Sequence, residues 1–141
     1  MIAFFDTSAM IKRYIVESDS DAIIELWNKA SLATASPLLY AESIATFARK
    51  RREEPQNTDA IARLQAAFHS DFDSLTRVAL DDDVHRRVVR LLERHALRGA
   101  DAVHLASAAL VHDLLQEPVT FACADARLVT AAKAEGLHVV P

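Results

Sequence analysis

The sequence predicts an α/β fold, in which a five-stranded parallel sheet is flanked by helices on both faces. Short apolar segments alternate with longer amphipathic ones, which is the order of strands and crossover helices in a parallel sheet. Only two glycines and four prolines occur in 141 residues, too few for the many tight turns of an all-β sandwich. No internal repeat or linker-like segment divides the chain, so we expect one domain over residues 1–141.

Five short segments have the composition of strands. Ile2–Phe5 is a continuous apolar run that a polar loop follows, as expected for a buried strand. The strands predicted after it are Leu32–Thr34, Leu75–Val78, Val119–Cys123 and His138–Val140.

Helices are predicted in the first half of the chain from apolar spacing and capping signals. The first two span Met10–Val16 and Asp21–Ala30, and in the second the apolar residues recur at helical spacing. A third begins at Ser36, because a serine N-cap is followed by Pro37 at the first helical position. It should continue to about Glu53, where the next proline is near.

Two more helices are predicted between residues 57 and 97. One is capped by Asn57 or Thr58 and should reach about Phe72. The acidic run Asp81–Asp83 opens another, because carboxylates are favourable at the positive end of the helix dipole. This helix is expected to end at about Leu97.

The two glycines of the chain help to bound the last helices. Gly99 is the expected stop of the preceding helix. Asp101–Leu115 is apolar almost all round, which is typical of a buried helix. Ala126–Glu135 is the final helix, and Gly136 closes it.

Composition and the chain start exclude several classes of protein. The only cysteine, Cys123, permits neither an internal disulfide nor a zinc site built from several thiolates. The N-terminus lacks the features of a secretory signal, and the apolar run Leu105–Val111 is far too short to span a bilayer. We therefore expect a cytoplasmic protein with no membrane partner. A net charge of −4 argues against a bulk cationic nucleic-acid binder but leaves room for a local basic face.

Four carboxylates occupy positions that suggest chemistry: Asp6, Glu42, Asp101 and Asp125. The first and last follow strands, and the carboxyl ends of parallel strands are where ligands bind in such sheets. Glu42 shares a helix face with apolar residues, and Asp101 opens the apolar helix. On the residues alone the three aspartates could instead be helix N-caps, and Glu42 could face solvent.

A cluster of these carboxylates would need a cation. Two unit charges 4 Å apart repel by about 4 kcal/mol at an effective dielectric near 20, so four could not all stay ionised unaided. An all-oxygen donor set suits a hard ion, Mg²⁺ or Mn²⁺. Such an ion can lower the pKa of a water that attacks phosphorus.

The same residues belong to motifs that recur in order along the chain: Phe5–Ser8, Glu42, Leu97–Ala106 and Phe121–Leu128. With these motifs the chain resembles the PIN-domain family, in particular the VapC-type toxins of bacterial toxin–antitoxin pairs. The resemblance covers essentially the whole chain. It implies a PIN-like five-stranded parallel sheet and a Mg²⁺- or Mn²⁺-dependent endoribonuclease.

The resemblance also implies roles and partners. It assigns the metal and the catalytic function to Asp6, Glu42, Asp101 and Asp125, with Ser8 as a supporting polar group. Relatives of this kind are typically homodimers that a cognate VapB-type antitoxin neutralises. Their substrates are structured or translating RNAs, often tRNA. The implied products carry a 5′ phosphate and a 3′ hydroxyl.

One position departs from the family, and two other function classes compete. The family often has Thr or Ser where this chain has Cys123, so a hydrogen bond supporting the site is missing and we expect Asp125 to be a weaker or water-mediated ligand. That departure favours an alternative, a catalytically inactive PIN-like module that binds RNA or protein. A phosphoacceptor signalling domain would need an acidic pair after the first strand, where Asp6 stands alone.

Other polar and aromatic residues have more than one interpretation. Two basic runs could contact RNA phosphates: Arg86, Arg90 and Arg94, and Arg49–Arg52. We favour solvated helix faces, with Asp82 and Asp83 pairing with Arg86 and Arg87 at helical spacing. His104 is expected to be a hydrogen-bonded core residue. Tyr14 and Trp27 are expected in the core or a subunit interface rather than in a base-stacking surface.

Overall fold

A computed structural model describes residues 1–141 and contains the predicted five-stranded sheet. All strand pairs are parallel, and the strand order is β3-β2-β1-β4-β5. The strands are β1 (Ile2–Phe5), β2 (Leu32–Ala35), β3 (Thr76–Arg77), β4 (Val119–Ala122) and β5 (His138–Val140). The apolar run after Met1 is a strand, as predicted, and it is the central one of the sheet.

Seven α-helices connect and cover the strands. They are α1 (Thr7–Met10), α2 (Ser20–Lys29), α3 (Leu38–Glu53), α4 (Thr58–Ser74), α5 (Asp82–Arg94), α6 (Gly99–Leu115) and α7 (Ala126–Ala134). Short 3₁₀ turns at Ile11–Arg13 and Pro55–Asn57 follow α1 and precede α4. No helix combines the length and the apolar character that crossing a membrane requires.

The strand β1 separates two apolar cores because successive side chains point to opposite faces of a sheet. Ile2 and Phe4 join the core formed with α5, α6 and α7, and Ala3 and Phe5 join the core formed with α1 to α4. Phe4 lies opposite Phe121 of β4, and their rings stack at 5.7 Å between centroids. Helices thus cover both faces of the sheet, which confirms the predicted α/β architecture.

The predicted helix Met10–Val16 is wrong. Helix α1 begins earlier, at Thr7, because the Asp6 carboxylate caps it by accepting a hydrogen bond from the backbone N–H of Ala9. The chain leaves the helical path after one 3₁₀ turn, and Lys12 then holds the following loop through an ion pair with Asp19 at 2.8 Å. The polar residues after β1, which were expected to form a loop, therefore contain the N-cap and the start of α1.

The predicted helix stop at Gly99 is also wrong. Helix α5 ends at Arg94, and His95 follows in an extended conformation rather than in the left-handed conformation that favours glycine. The His95 side chain contacts Glu135 at 3.0 Å, which holds the chain as it leaves the helix. Gly99 is instead the first residue of α6. Other predicted boundaries differ by one to three residues, as helix and strand ends commonly do.

Tyr14 is a core residue, as expected, and its hydroxyl has a partner. It packs between aromatic rings of α3 and α4, and the hydroxyl donates to Asp71 at 2.7 Å. Trp27 is half-buried against Phe5, with the Arg13 guanidinium 4.0 Å from its ring centroid. Neither aromatic side chain offers an open face for stacking a base.

Candidate active site

All four predicted carboxylates line one cleft of about 430 Å³ beyond the carboxyl ends of β1 and β4. They are Asp6, Glu42, Asp101 and Asp125. Four elements supply them: the loop after β1, helix α3, the first turn of α6 and the loop after β4. Ser8, which was predicted to support the site, lines the same cleft. The parallel sheet thus brings together residues that lie up to 119 positions apart in the sequence.

Asp6 both caps a helix and faces the cleft. Its carboxylate accepts hydrogen bonds from the Ala9 backbone N–H at 2.9 Å and from the Ser8 hydroxyl at 2.8 Å. The side chain is buried, and this burial raises the pKa of Asp6, although the Ala9 hydrogen bond and the nearby His104 act in the opposite direction. The capping and cleft interpretations are therefore compatible at this residue. A buried carboxylate with a raised pKa is one that a bound cation would stabilise.

Asp125 has the same double position at the start of α7. Its Oδ1 accepts from the Leu128 backbone N–H at 3.0 Å. The Ser8 hydroxyl, which donates to Asp6, accepts from the Ala124 backbone N–H at 3.0 Å. Ser8 consequently ties the loop of Asp6 to the loop of Asp125, which is a concrete form of the supporting role that was predicted for it.

Glu42 is held from two directions. Its Oε1 accepts from the Thr7 hydroxyl at 2.7 Å and lies 2.6 Å from Nε2 of His104. Because a carboxylate only accepts, Nε2 of His104 carries the proton in this contact. Burial acts to raise the pKa of Glu42, but the hydrogen bonds from His104 and Thr7 outweigh it and lower that pKa. Glu42 is thus kept ionised at the floor of the cleft.

His104 lines the same cleft, and sequence reasoning did not assign it to the site. It is buried and hydrogen-bonded, as expected of a core histidine, but its partner is one of the four carboxylates. Its other ring nitrogen, Nδ1, is buried and has no hydrogen-bond partner. The sequence signal was its place three residues after Asp101, which puts both on nearly the same face of α6.

Asp101 is not an N-cap, so the capping interpretation is wrong for it. It is the third residue of α6, whose cap position is Arg98. The Arg98 guanidinium pairs with the Asp101 carboxylate at 3.0 Å while remaining 80% exposed. The Asp101 side chain is only 13% exposed, so release of Arg98 would leave a mostly buried charge that another cation would have to compensate. The negative charge of Asp101 is favourable at the helix N-terminus.

The donor chemistry of the cleft fits a hard divalent cation. Four carboxylates face one space, and the buried Asp6 has a raised pKa that positive charge would reverse. No group of three or more His, Cys, Asp or Glu side chains is already close enough to hold an ion. The carboxylates would have to draw together around a cation, and Arg98 would have to release Asp101.

Cys123 replaces the family's hydroxyl without taking over its hydrogen bond. Its thiol is buried and contacts the Asp125 backbone carbonyl at 3.7 Å rather than the carboxylate. Burial, reinforced by the charge of Asp6, raises the pKa of Cys123 far above its usual range. A thiol that stays protonated is a poor nucleophile.

The arginine-rich face of α5 is largely paired within the chain. Arg86 pairs with Asp83, as predicted, and Arg94 pairs with Glu135 at 3.0 Å. Arg87 pairs with Asp113 of α6 at 2.7 Å rather than with an acidic residue of its own helix, so that part of the prediction is wrong. The packing of α5 on α6 brings this carboxylate within reach. These pairs favour the interpretation of Arg86, Arg90 and Arg94 as part of a solvated helix face.

Comparison with known proteins gives a family match and close relatives. Residues 3–133 match the family described as PIN domain. The chain is 37% identical over 141 residues to Ribonuclease VapC45 and to Ribonuclease VapC49, from two strains of Mycobacterium tuberculosis. Each alignment covers 99% of this chain and 95% of the relative.

A solved structure has the same fold. The chain resembles the protein in the crystal structure of FitAcB from Neisseria gonorrhoeae with a TM-score of 0.57 and 16% sequence identity. The match covers 99% of this chain and 97% of the other. At this identity the likeness concerns the fold alone.

Proposed function

Because this chain belongs to the PIN domain family, in its VapC-type group, we propose that it is the endoribonuclease toxin of a toxin–antitoxin pair. The reaction is hydrolysis of RNA phosphodiester bonds, with tRNA or another structured RNA as the substrate. Mg²⁺ or Mn²⁺ is the proposed cofactor. The relatives named ribonuclease support the reaction class, and the carboxylates of the cleft support the metal.

One observation carries the proposal: four carboxylates from four elements line a single cleft at the carboxyl edge of the sheet. Helix capping accounts for Asp6 and Asp125 singly, but it does not account for Glu42 or Asp101. Concentrating negative charge in a cleft opposes folding unless a cation compensates it. A site that costs stability and has a hard-ion donor set is best explained by its chemistry.

The residues of the chain have distinct proposed roles. Asp6, Glu42, Asp101 and Asp125 would hold the metal ion. A bound divalent ion supplies charge neutralisation at the phosphate and lowers the pKa of an attacking water. Ser8 fixes Asp6 relative to the Asp125 loop.

The remaining groups position the carboxylates and the substrate. His104 and Thr7 fix Glu42 through the two hydrogen bonds to its Oε1. Arg98, once separated from Asp101, is an exposed guanidinium that can donate hydrogen bonds to a phosphate oxygen.

The proposed partners follow from the family. As a VapC-type protein the chain would act in the cytoplasm as a homodimer and be held inactive by a cognate VapB-type antitoxin that covers the cleft. The antitoxin would be a separate small protein. A negative regulator at this site would have to supply positive charge, because the cleft concentrates carboxylates.

A catalytically inactive binding module is the second candidate, and Cys123 is the observation in its favour. The thiol does not reach the Asp125 carboxylate, so the orientation of that carboxylate depends on the Leu128 backbone alone. Metal-dependent cleavage separates the two candidates, because an inactive module binds without producing fragments.

The test is cleavage of total cellular RNA by the purified chain with Mg²⁺, Mn²⁺ or EDTA. We expect discrete fragments with either metal, none with EDTA, and none from Asp101→Asn. Asp82→Asn is the matched control, because it makes the same chemical change at an exposed carboxylate outside the cleft. Equal behaviour of wild type and Asp101→Asn would contradict the proposal and favour the binding module.

A further inference from the structure

A second cleft adjoins the carboxylate cleft and continues from it. Its volume is about 550 Å³, and it runs between the 3₁₀ turn after α1 and the exposed side of α3. We call it the α3 groove. The residues that belong to it alone include Ile11, Lys12, Ile15, Glu17, Lys50 and Glu53. Thr46 and Arg49 line both clefts, so the two spaces share a wall.

Two residues of the shared wall, Thr46 and Arg49, lie on the same face of α3 as Glu42 of the carboxylate cleft. Glu42, Thr46 and Arg49 lie four and seven residues apart, which is the spacing of side chains on one face of a helix. At a rise of 1.5 Å per residue, Arg49 is about 10 Å along the helix from Glu42. A chain whose scissile phosphate lies at Glu42 therefore passes Arg49 if it continues along this face.

Arg49 is the cation of the α3 groove that is least engaged within the chain. The Lys12 ammonium is buried and held by Asp19 at 2.8 Å and Glu17 at 3.2 Å. Lys50 pairs with Glu54 at 2.7 Å. Arg49 has only a loose contact with Glu53 at 3.8 Å, and both side chains are more than 60% exposed.

The alternative basic surface is less available. On α5, three of the four arginines are already paired with carboxylates of the chain, and none of them lines the carboxylate cleft. An RNA bound there would have to replace those pairs and would not lead toward the site. The guanidinium of Arg49 is only loosely held, and the α3 groove opens directly into the carboxylate cleft.

We propose that Arg49 binds an RNA phosphate next to the scissile one and directs a single-stranded RNA backbone along the α3 groove. This inference rests on the proposed function only for the direction of the strand, toward the carboxylates. Recognition at Arg49 is of backbone charge and carries no base preference. Ile11 and Ile15, which are apolar groove residues, offer contact surface to ribose or base faces.

The test is RNA binding as a function of salt, measured by fluorescence anisotropy. The probe is a 5′-labelled single-stranded RNA of mixed sequence, about 12 nucleotides long. Measurements use Mg²⁺ and the Asp101→Asn background, so that cleavage does not consume the probe. The Arg49→Ala change is compared with Arg49→Lys, which keeps the charge, and with Arg52→Ala, an exposed arginine of α3 that lines neither cleft.

We expect Arg49→Ala to weaken binding about three- to tenfold near 0.1 M salt and to reduce the slope of log K against log salt by about 0.7. Arg49→Lys should keep the slope, and Arg52→Ala should leave both quantities unchanged. In the cleaving protein, Arg49→Ala should raise KM by the same factor with kcat unchanged, because the lost contact binds ground state and transition state alike.

Three results would overturn the inference. Arg49→Ala could keep the wild-type slope of log K against log salt while cleavage is normal. That result would refute RNA binding by Arg49 in the α3 groove and leave the proposed function unaffected. Equal losses in Arg49→Ala and Arg52→Ala would show a general charge effect only. A fall in kcat at constant KM would assign Arg49 to the chemistry instead of to strand binding. Conversely, an Arg49-dependent slope in a protein that never cleaves would support the groove and refute the nuclease.

Discussion

Replacement of His104 by leucine should weaken metal binding while leaving the stability of the metal-free protein nearly unchanged. The imidazole is 2% exposed, and its Nε2 lies 2.6 Å from the Glu42 carboxylate. A hydrogen bond to a charged group contributes about 1.5–3 kcal/mol. The same ring buries Nδ1 without a partner, and an unsatisfied buried polar atom costs about 1–3 kcal/mol. Leucine is of similar size and removes both terms.

The two terms nearly cancel in the free energy of unfolding. We therefore expect His104→Leu to change the stability of the metal-free protein by no more than about 1 kcal/mol. Glu42 would keep only the Thr7 hydrogen bond and would lose its fixed position. Loss of a residue that orients a metal ligand typically costs about 10- to 100-fold in metal affinity or activity.

The assay has two parts. Urea denaturation in EDTA gives the free energy of unfolding, and calorimetric titration with Mn²⁺ gives the affinity, each for wild type and His104→Leu. Thr7→Val, which removes the other hydrogen bond to Glu42, should lower Mn²⁺ affinity in the same direction. A loss of more than about 3 kcal/mol in stability with unchanged Mn²⁺ affinity would show that His104 only fills the core.

Three further predictions concern the frame of the site. Phe121→Ala should lower the free energy of unfolding by about 3–5 kcal/mol in urea denaturation, because its ring is fully buried between sheet and helices; a loss under about 1 kcal/mol would contradict the packing. Gln116→Gly should stabilise the fold by about 0.5 kcal/mol and so raise the melting temperature slightly. Residue 116 ends α6 with φ of 53°, a left-handed conformation that favours glycine. Hydrogen bonding from His95, with the charge of Arg94, lowers the pKa of Glu135 below its ordinary 4.5. The ionised carboxylate therefore stabilises the fold above pH 4.5, and this stabilisation is lost as the pH falls through the lowered pKa. Glu135→Gln should accordingly be less stable than wild type by under about 1 kcal/mol at pH 7, and this difference should disappear once the pH has fallen below the lowered pKa. A difference that persists there would refute the assignment.

The sequence predicts the sheet and the place of two of the four carboxylates for a local reason. Ile2–Phe5 and Val119–Cys123 are apolar runs, and a polar residue directly after a parallel strand has to lie at its carboxyl edge. Asp6 and Asp125 could thus be located without knowledge of the packing. The competing capping interpretation could not be eliminated, because both residues do cap helices.

The features that the sequence did not predict depend on contacts between distant elements. His104 meets Glu42 across 62 residues; its place three residues after Asp101 put it near the site but did not identify Glu42 as its partner. Arg87 pairs with Asp113 because α5 packs on α6. The stop signal at Gly99 was misassigned because a glycine is also tolerated at the first residue of a helix, where α6 begins.

The end groups of the RNA fragments test the account most directly. If the carboxylate cleft hydrolyses RNA with a metal-activated water, every metal-dependent fragment should carry a 5′ phosphate and a 3′ hydroxyl, and ligation or phosphatase sensitivity reveals these ends. Asp101→Asn should produce no such fragments, whereas Asp82→Asn should produce them at the wild-type rate. Fragments that end in a 2′,3′-cyclic phosphate would mean that the RNA's own 2′-hydroxyl attacks. That result would contradict a metal-dependent hydrolytic role for Asp6, Glu42, Asp101 and Asp125.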